Sequence, residues 1–224
     1  MTQTSTRLHL GAGADGFTLV EFLISTVIGT AIMGSMIVVT GQLQQSYSSQ
    51  LDGAAVQQEA RFVLDWISRT LVSAGSNPSA IAIGACPTAG TVFTAIRRDP
   101  NNDNVQNDIR IQADINPPNG LPGGPGGAGG CGEPREDITI AHDVANKTVT
   151  RRDNNIDNAP IPMSDRVITQ LAFAYLDRNR VPTALDAQVA FVRVTVTAQT
   201  PVADRYTGQP LSSTYTDEVR VRTR

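Results

Sequence analysis

The stretch Gly16-Phe17-Thr18-Leu19-Val20-Glu21-Phe22-Leu23-Ile24 decides how the rest of the chain is read. It opens a run, residues 17–39, in which every residue is apolar, small or hydroxylated except one carboxylate, Glu21. A spanning helix needs about 20 such residues. At about 1.5 Å per residue this run reaches roughly 34 Å, enough for a hydrocarbon core of about 30 Å with some tilt. Glu21 then needs a reason, because a carboxylate at the centre of a spanning helix costs about 2.5–3.5 kcal/mol even on a lenient insertion scale. The plain alternative is a signal anchor with an acid near its end, where snorkelling lowers that cost.

Outward from this run, residues 1–16 carry Arg7, His9 and Asp15 and are too polar and too short to be the apolar region of a secretory signal. No small-residue cleavage site follows the apolar run, so the anchor is expected to be retained. Arg7 precedes it and no Lys or Arg follows until Arg61, so the positive-inside rule places the N-terminus in the cytoplasm and everything beyond about residue 45 outside. The chain has 224 residues, two cysteines and a formal net charge of −3, which fits one modest domain plus an anchor and gives no sign of a nucleic-acid binder.

A short polar leader ending in Gly16, then Phe17, then an apolar run with Glu21 as its fifth residue, resembles the class III (prepilin) signal of type IV pilins and type II secretion pseudopilins. The resemblance implies that a prepilin peptidase in the inner membrane cuts between Gly16 and Phe17 and N-methylates the new Phe17 amine. It also implies that Glu21 neutralises the N-terminus of a neighbouring subunit as helices stack into a fibre. Two charges that are each costly in lipid become tolerable as a pair, and the pairing sets axial register.

The helix is expected to continue past the membrane, since residues 42–74 lack proline and Val56, Ala60, Val63, Leu64, Ile67 and Leu71 recur at i, i+3, i+4 spacing. Gln57, Arg61, Asp65, Ser68 and Arg69 gather on the opposite, wet face, with Arg61, Asp65 and Arg69 spaced for i,i+4 pairs. Phe62 and Trp66 widen the apolar arc to roughly 200°, more than a surface helix needs. Either loops of their own domain cover both rings, or the rings contact an adjacent subunit. Gly75 before Asn77-Pro78 supplies the stop. A helix over 17–74, half in lipid and half packed on a domain, is similar to the pilin shape. Major pilins usually carry a proline in the spanning run; this chain has none there.

Beyond residue 78 the period changes from 3.6 to 2. Segments around Ile109 and Ile111, Ile138 and Ile140, Val149, Leu171 to Tyr175, Val192 to Val196, and Val219 to Val221 alternate and are separated by Asn, Asp, Pro and Gly. Each predicts a strand. Their spacing predicts an antiparallel meander laid on the amphipathic half of the helix, with Val192, Val194 and Val196 inward and Arg193, Thr195 and Thr197 outward. The fold class is therefore α+β. In parts, the chain reads as a leader over 1–16, a membrane half of the helix over 17–40, an amphipathic half over 41–75 and an exported β-rich domain over 76–224.

Two loops stand out. Residues 116–132, NPPNGLPGGPGGAGGCG, form a glycine-rich insert that cannot bury enough to order itself. Residues 99–108 place Asp99, Asn101 and Asp103 at alternate positions as a calcium loop does. The glycine of the sixth position and the glutamate of the twelfth are absent, replaced by Asn104 and Arg110, so the expectation is a solvated turn and no metal. Cys86 and Cys131 are the only cysteines, and both fall in the part assigned to an oxidising compartment, so a disulfide is expected. If unstrained, its loop of about 45 residues is worth roughly 4 kcal/mol in the chain-entropy model.

No catalytic constellation emerges: G-x-S-x-G, H-E-x-x-H and Walker patterns are missing, and no cofactor is implied. His142 beside Asp143 reads as a strand-end histidine rather than a general base. Arg97-Arg98 and Arg151-Arg152 are each followed by Asp and read as solvated turns, and aromatics are too few for a stacking platform.

The motif from Glu59 to Asp65, then Ala74-Gly75, Phe173-Ala174-Tyr175-Leu176-Asp177 and the Val192-Arg193-Val194 strand, is similar to the PilW family of minor pilins, and next to that the J pseudopilin of type II secretion. This resemblance implies a non-enzymatic subunit that joins minor and major pilins, primes assembly of a type IV pilus and sits in a tip complex. The alternatives are a J-type pseudopilin and a tip adhesin or DNA-uptake module. The glycine-rich insert and the incomplete acidic loop depart from the family pattern.

Overall fold

The computed structural model describes residues 16–76, 94–115, 134–204 and 207–222. A single helix, α1, spans Leu19–Ser73, close to the 17–74 that the sequence predicts. With no proline inside it, the backbone ladder has nothing to break it. Hydroxyls in its first half return to carbonyls one turn back, as Thr26 to Leu23 O at 2.8 Å and Thr40 to Met36 O at 2.8 Å. That satisfies them without water. The helix ends where Gly75 turns left-handed, φ 71°, and donates its N–H to Gln112 O at 2.9 Å. A Cβ at Gly75 would collide with the Arg222 carbonyl oxygen, so only glycine fits the approach.

The chain divides into two compact units, residues 1–48 and 49–224. In the first, the large apolar side chains of α1, such as Phe22, Ile28 and Met36, are more than half exposed. By length and composition this half of the helix can cross a membrane.

The second unit holds the rest of α1 and two antiparallel sheets. The first sheet has five strands in chain order: β1 (Ile96–Arg98), β2 (Asp108–Gln112), β3 (Asp137–Asp143), β4 (Thr148–Asp153) and β5 (Ile161–Pro162). The second has three: β6 (Ile168–Leu176), β7 (Phe191–Ala203) and β8 (Pro210–Arg220). Every expected strand is present, but the expected single meander is two, because pairing stops between β5 and β6. Val56, Ala60, Val63, Ile67 and Leu71 of α1 share one core with Ile109 and Ile140 of the first sheet and Val192, Val194 and Val196 of the second. The α+β class follows directly: a helix stripe of 3.6 period covers strand faces of period 2. On the outer face of β7, Thr195 meets Thr216 and Thr197 meets Thr214 through hydroxyl contacts of 3.2 and 3.0 Å.

Both arginine pairs are corrections to the sequence reading. Arg97-Arg98 lies in β1 and Arg151-Arg152 in β4, not in turns. Arg98 is held by Asp186 at 2.7 Å and lies 5.7 Å from the Tyr175 ring centroid, so its charge is paired inside the fold. Arg151 faces Asp157 at 3.6 Å. On α1, Asp65 and Arg69 pair at 2.7 Å as the spacing predicts, whereas Arg61 lies over the Tyr215 ring at 5.0 Å.

Candidate functional site

The start of α1 is built from its own residues. Thr18 precedes the first helical residue, and its Oγ1 accepts the Glu21 N–H at 3.3 Å. In return Glu21 Oε2 accepts from the Thr18 N–H at 2.9 Å and from the Thr18 hydroxyl at 2.8 Å. This is a reciprocal capping box, in which an N-cap Thr and a Glu three residues on satisfy each other's orphan donors. The negative charge also complements the positive end of the helix dipole. Both bonds into the carboxylate fall on Oε2, so the box leaves Oε1 outside it. Sequence reasoning gave Glu21 a role between subunits and missed this local one, although the Thr-x-x-Glu pattern carries it.

Gly16 and Phe17 stand in the open, with Phe17 85% exposed and nothing within 4 Å of a Cβ built on Gly16. The leader residues before them lie outside the described residues, as do Cys86, Cys131 and the insert at 116–132. Phe62 and Trp66 separate: Phe62 is 51% exposed, while Trp66 is partly buried against the core. Phe62 is thus the more exposed of the two, and Trp66 keeps part of its surface open.

His142 and Asp143 make separate hydrogen bonds. The His142 Nε2 lies 3.0 Å from Ile168 O, tying the end of β3 to the start of β6. The Asp143 carboxylate instead accepts from the Asn146 side chain at 2.7 Å and the Asn146 N–H at 3.0 Å, and these bonds lower its pKa. Among the described residues no group of three or more His, Cys, Asp or Glu side chains could hold a metal ion as they are placed.

The loop between β1 and β2 is exposed from 101 to 106 and turns its carboxylates onto its own N–H groups. The Asp103 N–H donates to Asp99 Oδ1 and to Asn101 Oδ1, each at 3.0 Å, and the Val105 N–H donates to Asp103 Oδ1 at 2.7 Å. Asn104 has φ 64°, so it supplies the left-handed turn that a calcium loop usually takes from glycine at that position. Asp108, which ends the loop and starts β2, is 2% exposed, and no sequence signal marks its burial.

Comparison with protein-family models, with curated proteins and with solved structures finds no match for this chain.

Proposed function

We propose that this chain is a minor pilin of the PilW kind, which helps prime assembly of a type IV pilus. A prepilin peptidase removes residues 1–16, Phe17 becomes the methylated N-terminus, and the exposed half of α1 sits in the inner membrane until it enters the fibre. The β-domain is exported and selects other pilins as partners. The work is assembly, not turnover.

One observation carries the reading: Glu21 is the only charged residue between 17 and 51, on a helix half whose apolar side chains are covered by nothing in their own unit. Such a surface calls for lipid or other helices. A lone carboxylate in it calls for a cation, and the nearest that the chain's own chemistry supplies is a freed Phe17 amine. Phe62, exposed on an otherwise core-facing helix arc, supports a further subunit contact.

The capping box offers a competing, purely local reason for Glu21, and two substitutions separate them. Glutamine also closes a capping box but carries no charge. Glu21→Gln is therefore expected to lose incorporation into filaments as fully as Glu21→Ala, while membrane insertion persists. Filament number unchanged in the Gln variant, or mature protein that still begins at Met1, overturns the reading. Loss of secreted enzymes with filaments intact in a deletion strain redirects it to the J-type pseudopilin.

A further inference from the structure

The β1–β2 loop holds three carboxylates, and the one at its end is buried with one oxygen left without a partner. Asp108 is 2% exposed and its Oδ1 has no hydrogen-bond partner. The Asn101 N–H bonds the same carboxylate, which directs it into the loop, toward the charges of Asp99 and Asp103. No arginine or lysine among the described residues answers it. Arg98 is committed to Asp186 and to the Ala184 and Thr183 carbonyls, and Arg110 forks onto Asp137 through both Nε and Nη2. A buried, partly unbonded carboxylate beside two more is costly unless a cation joins them.

We propose that Asp99, Asn101, Asp103 and Asp108 bind one calcium ion. Asp99, Asn101 and Asp103 occupy the first, third and fifth positions of a calcium loop, and Asn104 makes the turn at the sixth. Asp108, at the tenth position, takes the part of the distal carboxylate, because the chain enters β2 there and Arg110 is drawn away to Asp137. As the loop stands, Asp99 and Asp103 are turned onto its own N–H groups. Calcium accepts six to eight oxygens at about 2.3–2.6 Å in loose geometry, so binding calls for these side chains to rotate toward one point, whereas magnesium demands a near-octahedral set.

The site sits at the junction of the two sheets. Gln106 O accepts the Phe173 N–H at 2.9 Å and the Tyr175 hydroxyl donates to Asp108 O at 3.1 Å, both from β6, while Asn107 O accepts the His142 N–H of β3 at 3.0 Å. Calcium there fastens the loop that joins the sheets. This inference does not depend on the pilin reading.

The test uses the full chain in detergent, stripped with chelator and titrated with calcium chloride by calorimetry and thermal melting. The expected result is one equivalent of binding and a melting temperature raised by about 5–10 °C at a hundredfold excess over Kd, with magnesium chloride giving less than half of that. Asp103→Asn, an exposed change that leaves the fold alone, is expected to weaken binding at least tenfold. Asp108→Asn is expected to abolish the response while melting no lower than wild type in chelator. Absence of heat and of any melting shift at several millimolar calcium overturns the proposal, as does an undiminished response in both variants.

Discussion

Burial of Asp108 works against its own charge. Burial first, then the nearby charges of Asp99 and Asp103, push its pKa up to about 6 against the pull of the Asn101 N–H. Arg98, Asp186 and the Tyr175 hydroxyl line the same junction from β1, the 3-10 turn at Asp186–Gln188 and β6. A carboxyl whose folded pKa stands above its ordinary 3.8 holds its proton more tightly in the native state. Its contribution to stability is therefore complete below about pH 3.8 and is lost as pH rises through about 6. In chelator, the difference in melting temperature between wild type and Asp108→Asn is expected to shrink as pH falls from 7 to 4, with the variant the more stable at pH 7. A difference that does not change over that window refutes the assignment of this carboxyl as the titrating group.

Among the elements, the first sheet carries a buried ion pair where β2 meets β3. Asp137 is fully buried and accepts from Arg110, from the Gln112 side chain at 3.1 Å and from the Asn154 side chain at 2.8 Å. The pairing holds the Arg110 guanidinium charged and raises its pKa. Asp137→Ala leaves that cation without its partner and is expected to cost about 3–5 kcal/mol, measured by urea unfolding. Replacing Arg110 and Asp137 together by leucine should recover part of the loss, since neither charge is then orphaned, while the Gln112 and Asn154 amides still lose this acceptor. A single-variant cost under about 1 kcal/mol would mean that solvent reaches the pair. Elements also show what the amino-acid order discloses. α1 and β7 are legible because Val56 to Leu71 and Val192 to Val196 repeat the period of their element. β1 is hidden by Arg97-Arg98, because the charge of Arg98 is paired by the distant Asp186. The first half of β8 is hidden because Ser212, Ser213 and Thr214 show no apolar alternation, since that face stays wet. Burial of Asp108 depends on Tyr175 and β6, far along the chain, so no local pattern could reveal it.

Across the whole molecule, burial and exposure divide at the boundary between the units. Every buried apolar residue of α1, from Val56 to Leu71, belongs to the unit that begins at Ser49, and that unit's core closes without any residue before it. Ser49 itself is anchored by its hydroxyl to Asp204 at 2.7 Å. The other unit contributes a bare apolar helix, whose transfer to lipid is favourable at about 25 cal/mol per Å2 of apolar surface. Folding energy and membrane affinity should therefore be separable by cutting the chain between them. Residues 49–224 alone are expected to be soluble without detergent, monomeric by sedimentation, and to melt within about 3 °C of the full chain in detergent micelles. The full chain is expected to float with lipid vesicles and the shortened one to stay in solution. A shortened chain that aggregates or melts without cooperativity would show that residues 19–48 stabilise the β-domain as well as anchor it, and that the two jobs of α1 cannot be assigned to separate halves.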